Sequence, residues 1–169
     1  SLGKEFKFLS GRQEKSPRPF EKKFLRQRKH LLGSHYKYWL SLNMPYSFLH
    51  MISKTINTKA DVFFIITTKD KDSILRLLCV YGINLPATNV YGREAYLKFK
   101  TKGDILRFIK GKHGLDKCIF IDDSKEHLST CKEIPGLDII HAKWGYVSGG
   151  GGRGNEKSAV SRIKKLLGD

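Results

Sequence analysis

Two short, wholly apolar blocks constrain this chain more than any other feature. Val62-Phe63-Phe64-Ile65-Ile66 and Cys118-Ile119-Phe120-Ile121 each run without a polar residue. Each then gives way at once, to Thr67-Thr68 and to Asp122-Asp123-Ser124. A strand with one wet face alternates, whereas a strand apolar throughout is buried on both faces, as in a parallel sheet covered by helices. The intervening sequence agrees. Asp70 or Asp72 caps a helix bearing Ile74, Leu75, Leu77 and Leu78 that stops near Gly82, and Asn89-Val90-Tyr91 reads as a short strand. Lys102-Gly103-Asp104 leads a helix with Ile105, Leu106, Phe108 and Ile109, ending at Gly111 or Gly114. Ser124 to Cys131 reads as helix, Leu137 to Ile140 as a third strand, and Lys157 to Leu167 as an amphipathic helix on Val160, Ile163, Leu166 and Leu167. Buried strands alternating with helices predict an α/β fold, a doubly wound parallel sheet with right-handed crossovers. Ligands of such sheets bind at the carboxyl ends of the strands, so functional residues are expected just after Ile66 and just after Ile121.

The first third of the chain has a different character. Ten Lys or Arg residues face three Glu within residues 1–30, and Pro17 and Pro19 punctuate them. Lys4 to Ser10 alternates weakly and suits a short strand. A helix is expected from Phe20 to about Leu32 with Gly33 as its stop, and another from Pro45 to about Thr55 on Phe48, Met51 and Ile52. The expected division is therefore a basic N-terminal segment with a small helical region over residues 1–58, and an α/β core over 59–169. The whole chain has 32 Lys plus Arg against 16 Asp plus Glu, a formal charge of +16, which favours an anionic partner or substrate. Nucleic acid is one such partner, bound through the basic segment with Tyr36, Tyr38 and Trp39 stacking on bases. The competing reading is a solvated basic face over aromatic core residues.

Other function classes are less expected. The longest apolar run, Val62 to Ile66, is far short of the roughly 20 residues that a membrane helix needs. The first 30 residues are charged throughout, so no signal peptide is expected; a basic presequence stays an open alternative, with Glu5, Glu14 and Glu21 departing from its acid-poor pattern. Cys79, Cys118 and Cys131 are widely spaced, odd in number and beside apolar residues, which suits small core residues in a reducing compartment and a cytoplasmic location. The run Gly149 to Gly152 reads as a mobile loop, since no Gly-Lys-Ser/Thr follows a strand at phosphate-loop spacing. The six histidines stand at no metal-ligand spacing and read as ordinary.

At the predicted strand ends, a Thr hydroxyl (Thr67), a helix-start ammonium (Lys102) and two adjacent carboxylates (Asp122, Asp123) fall on one sheet edge. Carboxylates bind Mg²⁺, which takes phosphate oxygens as further ligands, and Lys and Thr complete an electrostatic clamp for phosphoryl transfer. The stretches "FFIITTKD", "KTKGDILRFI", "CIFIDDSKEHLSTC" and "AKWGY" resemble the second to fourth motifs, and the strand after the fourth, of the haloacid dehalogenase superfamily of phosphatases and related hydrolases. The resemblance covers roughly residues 45–147. It implies a Rossmann-like core with a helical cap and Mg²⁺-dependent hydrolysis of a phosphate monoester. In that reading Thr67 contacts the phosphoryl group and Lys102 steadies nucleophile and phosphate, with Lys100 and Lys98 as poorer candidates. Asp122 binds Mg²⁺ directly, and Asp123 does so directly or through water. The substrate is a phosphorylated small molecule or another anion.

One departure cuts against turnover. The family's first motif is an Asp-x-Asp pair, nucleophile and acid/base, at the end of a central first strand. Residues 1–60 contain no Asp at all. Asp70-Lys71-Asp72 has the spacing but follows the Thr motif, and reads as a helix start. The nearest degenerate alignment, "KFLSGRQ", puts Phe8 and Ser10 at the two acidic positions, and Phe cannot attack phosphorus. The nucleophile therefore has no assigned residue. An impaired phosphohydrolase is one expectation, and an inactive binding domain on the same fold, for nucleic acid or another polyanion, is the alternative.

Overall fold

The computed structural model describes residues 19–145 and 155–168. The candidate strand at residues 4–10, with Phe8 and Ser10, and the four-glycine run lie outside the described residues. The chain divides between Met44 and Pro45 into two compact units.

In the first unit, α1 (Pro19–Ser34) is followed by α2 (Tyr36–Ser41). Helix α1 runs one residue past Gly33, the expected stop. Leu25, Leu31 and Leu32 are half-buried, while Phe20 and Phe24 stand out into solvent. Trp39 is buried with Tyr36 stacked on it, their ring centroids 6.0 Å apart. Asn43 closes the end of α2 by donating from Nδ2 to the Trp39 carbonyl at 2.7 Å.

The second unit is mixed α/β. Helix α3 (Ser47–Thr58) precedes β1 (Ile65–Ile66), α4 (Lys71–Val80), β2 (Val90–Tyr91), α5 (Lys102–His113), β3 (Cys118–Asp122), α6 (Lys125–Ser129), β4 (Leu137–His141) and α7 (Glu156–Leu167). Strands β1 and β2 pair in parallel, with Ile65 beside Val90, and β3 and β4 pair in parallel from Cys118–Leu137 to Asp122–His141. Among the described residues these remain two separate two-stranded sheets.

Their side chains nevertheless share two cores. Ile65 of β1 and Ile119 and Ile121 of β3 pack with Ile52 and Ile56 of α3, Leu78 of α4, Val90 of β2 and Ile163 of α7. Ile66 and Phe120, one residue along each strand, pack instead with Leu106 of α5, Leu128 of α6, Cys131 and Ile139. Successive strand residues point to opposite faces. The two clusters therefore lie on opposite faces of β1 and β3, with α3, α4 and α7 over one and α5 and α6 over the other. Helix α3, grouped with the basic segment on sequence, thus belongs to this core.

The first apolar block departs from expectation. Only Ile65 and Ile66 of it are strand, and Ala60–Val62 is a turn of 3₁₀ helix. The cause is buried Asn89, whose Nδ2 donates to the carbonyls of Ala60 at 3.1 Å and Phe63 at 3.0 Å. Those groups are satisfied by a side chain instead of a ladder. The strand residues expected to be buried on both faces, Ile65, Ile66, Ile119 and Ile121, are half-buried. Among the described residues, no helix is long and apolar enough to cross a membrane.

Candidate active site at the end of the third strand

Lys102 opens α5, and three local features fix where it stands. Thr101 is the N-cap: its Oγ1 accepts from the Asp104 N–H at 3.1 Å, and Asp104 Oδ2 accepts from the Thr101 N–H at 2.9 Å. This reciprocal box satisfies two orphan donors of the first turn. Gly103 then lies so close to the Thr130 carbonyl that a Cβ has no room, and its N–H donates to Thr130 Oγ1 at 3.2 Å. The start of α5 is thereby wedged on the end of α6, beside the carboxyl end of β3.

There Lys102 Nζ donates to Asp122 Oδ2 at 2.5 Å, and the two side chains are only 9% and 6% exposed. The other oxygen, Oδ1, accepts from the Ser124 N–H at 2.8 Å and from His127 Nδ1–H at 3.0 Å. Burial alone pushes the Asp122 carboxyl upward, but the Lys102 hydrogen bond and charge, with the Ser124 and His127 bonds, hold it below the usual carboxylate range. Asp122 is therefore an anion at neutral pH, and it keeps the Lys102 ammonium at the strand end.

Two further groups enter that were not singled out from sequence. His127 read as ordinary, yet Ser124 caps α6 by accepting from the His127 N–H at 3.3 Å, so His127 sits in the first turn facing back to the strand end. A Ser three residues before a His, straight after a strand, is a signal that would have found it. Tyr96 lies in a 3₁₀ segment, Arg93–Leu97, which carries no such signal. Its hydroxyl is buried without a hydrogen-bond partner among the described residues. Burial, followed by the negative charge of Asp122 and the Cys131 thiol, pushes it up to about 12, so it remains a neutral donor.

Asp123 has a different setting. The backbone of Gly145 packs directly on its side chain. Its own carbonyl accepts from His141 Nε2–H at 3.1 Å, and the Asp122 carbonyl accepts from the Ala142 N–H at 2.9 Å, tying this loop to the end of β4. Thr67, at the end of β1, donates its N–H to the Tyr91 carbonyl at 2.9 Å, and its Oγ1 accepts from the Lys69 N–H at 3.1 Å. The structure thus joins Lys102 to Asp122. No hydrogen bond among the described residues joins Thr67 to either, although its strand shares both cores with β3. Lys98 and Lys100 are exposed and make no ion pair with Asp122. Asp70 is the N-cap of α4, accepting from the Ser73 N–H and Oγ at 2.8 Å each, and Asp72 is in the first turn, as their helix-start reading expects. A shallow hollow of about 430 Å³ along α4, lined by Leu75, Leu78, Cys79 and Ile83, includes none of the predicted site residues.

The donor chemistry bears on Mg²⁺. A carboxylate has about four lone-pair sites. Three donors already use Asp122, which leaves one direction on Oδ2, beside an ammonium. The Asp123 carboxylate makes no hydrogen bond or ion pair among the described residues and is the freer oxygen donor. No group of three or more His, Cys, Asp or Glu side chains suited to a metal occurs among the described residues. One carboxylate without a bond among the described residues and one partly engaged fit a water-rich Mg²⁺ that relies on phosphate oxygens, and do not fit an all-protein cage.

Comparison of the chain with protein-family models, with curated proteins and with solved structures gives no match.

Proposed function

We propose that the second unit is a haloacid dehalogenase-like domain that recognises a phosphorylated small molecule at the carboxyl ends of its strands, with turnover impaired for want of a nucleophilic Asp. The observation that carries this reading is the buried Lys102–Asp122 pair at the end of β3, held by a capped helix start. In this account Lys102 holds the phosphoryl oxygens and Asp122 keeps its ammonium in place. Thr67 donates its hydroxyl to the same phosphoryl group. Asp123, with the remaining direction on Asp122, holds Mg²⁺, which when bound neutralises phosphate charge. The buried Tyr96 hydroxyl is a neutral donor close enough to feel the charge of Asp122.

The same reading makes the two strand pairs halves of one doubly wound sheet. The order is β2-β1, then one further strand, then β3-β4. Three observations support it: the parallel pairing of each half, the two shared cores, and the half-buried apolar edges of β1 and β3. The place between them is where the resemblance puts the first strand and its nucleophile.

The test is hydrolysis of an aryl phosphate with Mg²⁺, alongside binding of inorganic phosphate. The expected result is saturable phosphate binding with turnover at background. Mg²⁺-dependent turnover lost in Asp122→Asn would overturn the impairment, and a folded protein that binds no phosphate would overturn the site. A second reading, a catalytically inactive binding domain, is favoured by the engagement of both Asp122 oxygens, which makes the pair a structural clasp. It predicts that substitutions at the pair alter stability alone.

A further inference from the structure

The first unit carries a feature that the phosphate site does not use. Phe20, Phe24 and Arg28 follow one another at four-residue spacing along α1, so they share one face of the helix. The two rings are nearly parallel, 14° between planes and 6.4 Å between centroids, and the Arg28 guanidinium lies 5.6 Å from the Phe24 centroid. This ladder is not core: Phe20 is 79% exposed and Phe24 50%. Tyr38 of α2 is 59% exposed as well. Arg28 is the cation on this face; Lys22, Lys23, Arg26 and Lys29 are exposed on the other sides of α1 and Lys37 on α2, and residues 19–44 contain one acid, Glu21.

We propose that α1 is a docking element for single-stranded nucleic acid, its ladder face meeting bases and its surrounding cations meeting phosphates. Exposed flat rings on a helix whose other sides are basic supply the two elements that sequence-tolerant single-strand binding needs, one for base faces and one for phosphates. Charge complementarity selects a polyanion, and the rings select one with planar groups. A solvated basic face over aromatic core residues is the competing reading. It holds for Trp39, which is buried and cannot stack, but not for Phe20, Phe24 or Tyr38. An interfacial membrane helix needs a broad apolar face. In α1 the exposed apolar surface is two rings, since Leu25, Leu31 and Leu32 are half-buried.

The test is fluorescence anisotropy of the full chain with labelled oligo(dT) and oligo(U), each about 15 nucleotides long, within the usual site size. Duplex DNA of the same length, heparin and phosphatidylserine vesicles serve as comparators. Single strands are expected to bind most tightly, with log affinity falling linearly in log salt at a slope of about −0.7 per phosphate contact. The double variant Phe20→Ala/Phe24→Ala is expected to weaken single-strand binding about tenfold or more, while Phe20→Tyr/Phe24→Tyr restores it. Lys23→Gln/Arg26→Gln is expected to flatten the salt slope. Helical circular dichroism unchanged from wild type shows that the exposed substitutions leave the fold intact. Equal affinity for duplex or heparin, insensitivity to ring removal, binding to vesicles in place of oligonucleotide, or no binding would each overturn the proposal.

Discussion

Removing either half of the Lys102–Asp122 pair strands the other in a site where water barely reaches. Asp122→Asn leaves a buried ammonium facing an amide, and a cost of about 3–5 kcal/mol in urea unfolding is expected. The double variant Lys102→Met/Asp122→Asn is expected to cost less than the sum of the two single changes, because no charge is then left unpaired. The pair also sets an acid limit. The folded Asp122 carboxyl lies below its unfolded value, so its stabilisation is fully present above the ordinary carboxylate range of about 4 and disappears as pH falls from there through the folded value. Asp104, held low chiefly by its Thr101 hydrogen bond, acts in the same direction. Unfolding free energy measured from pH 6 downward should therefore drop below about pH 4, and less steeply in Asp122→Asn. Tyr96 offers the opposite sign. Its hydroxyl is buried without a partner among the described residues, so Tyr96→Phe is expected to raise stability by about 1 kcal/mol in the ligand-free protein, the order of an unmet hydroxyl's desolvation. Unchanged or lower stability would show that the hydroxyl is satisfied in solution.

Among the elements, α5 does the positioning. Gly103→Ala drives a Cβ into the Thr130 carbonyl, which is backbone and cannot swing aside, so the helix start must lift from α6. A loss of about 1–3 kcal/mol is expected, together with weaker phosphate binding, because Lys102 moves with the helix. Gly111→Ala, at an open position of the same helix, is expected to be neutral or slightly stabilising. This helix also shows what sequence conveys. Its start at Lys102 is a local matter of capping and is legible; its stop, expected at Gly111 or Gly114, falls at Gly114, the residue in the left-handed conformation. Also legible are β3 and β4, which cover the stretches expected as strands, Cys118 to Ile121 and Leu137 to Ile140. The first apolar block is not, because Asn89, more than twenty residues downstream, takes the carbonyls that a ladder would use. The meeting of Lys102 with Asp122 is legible through strand-end logic and His127 through its local Ser124 cap, whereas the role of Tyr96 depends on tertiary placement. Phe108, grouped with the inward residues of its helix, is 44% exposed, since Ile105, Leu106 and Ile109 fill that face.

In the second unit, the two two-stranded parallel sheets share cores on both faces, and this sets a further test. Thr67 donates its N–H toward β2, and Cys118 donates toward β4 through the Gly136 carbonyl. By the alternation of strand amides, Ile66, Ile119 and Ile121 direct theirs to the inner edges of β1 and β3. If one further strand completes a doubly wound sheet, these three amides exchange slowly with deuterium. Exchange as fast as in exposed loops would mean that the edges stay open. The excess of positive charge spans both units, so salt is expected to weaken any anion bound to either one, with the steepest dependence for polyanions.

If Lys102 and Asp122 form a phosphate site at the end of β3, phosphate must perturb the backbone around them. The most direct measurement is titration of inorganic phosphate into the full chain with Mg²⁺ present, followed by the amide resonances of Thr67, Lys102 and Ser124, in the wild type and in Lys102→Met. Saturable shifts are expected at those three amides in the wild type, and their loss in the variant. Identical titrations, or no shifts in a folded wild-type protein, would contradict it.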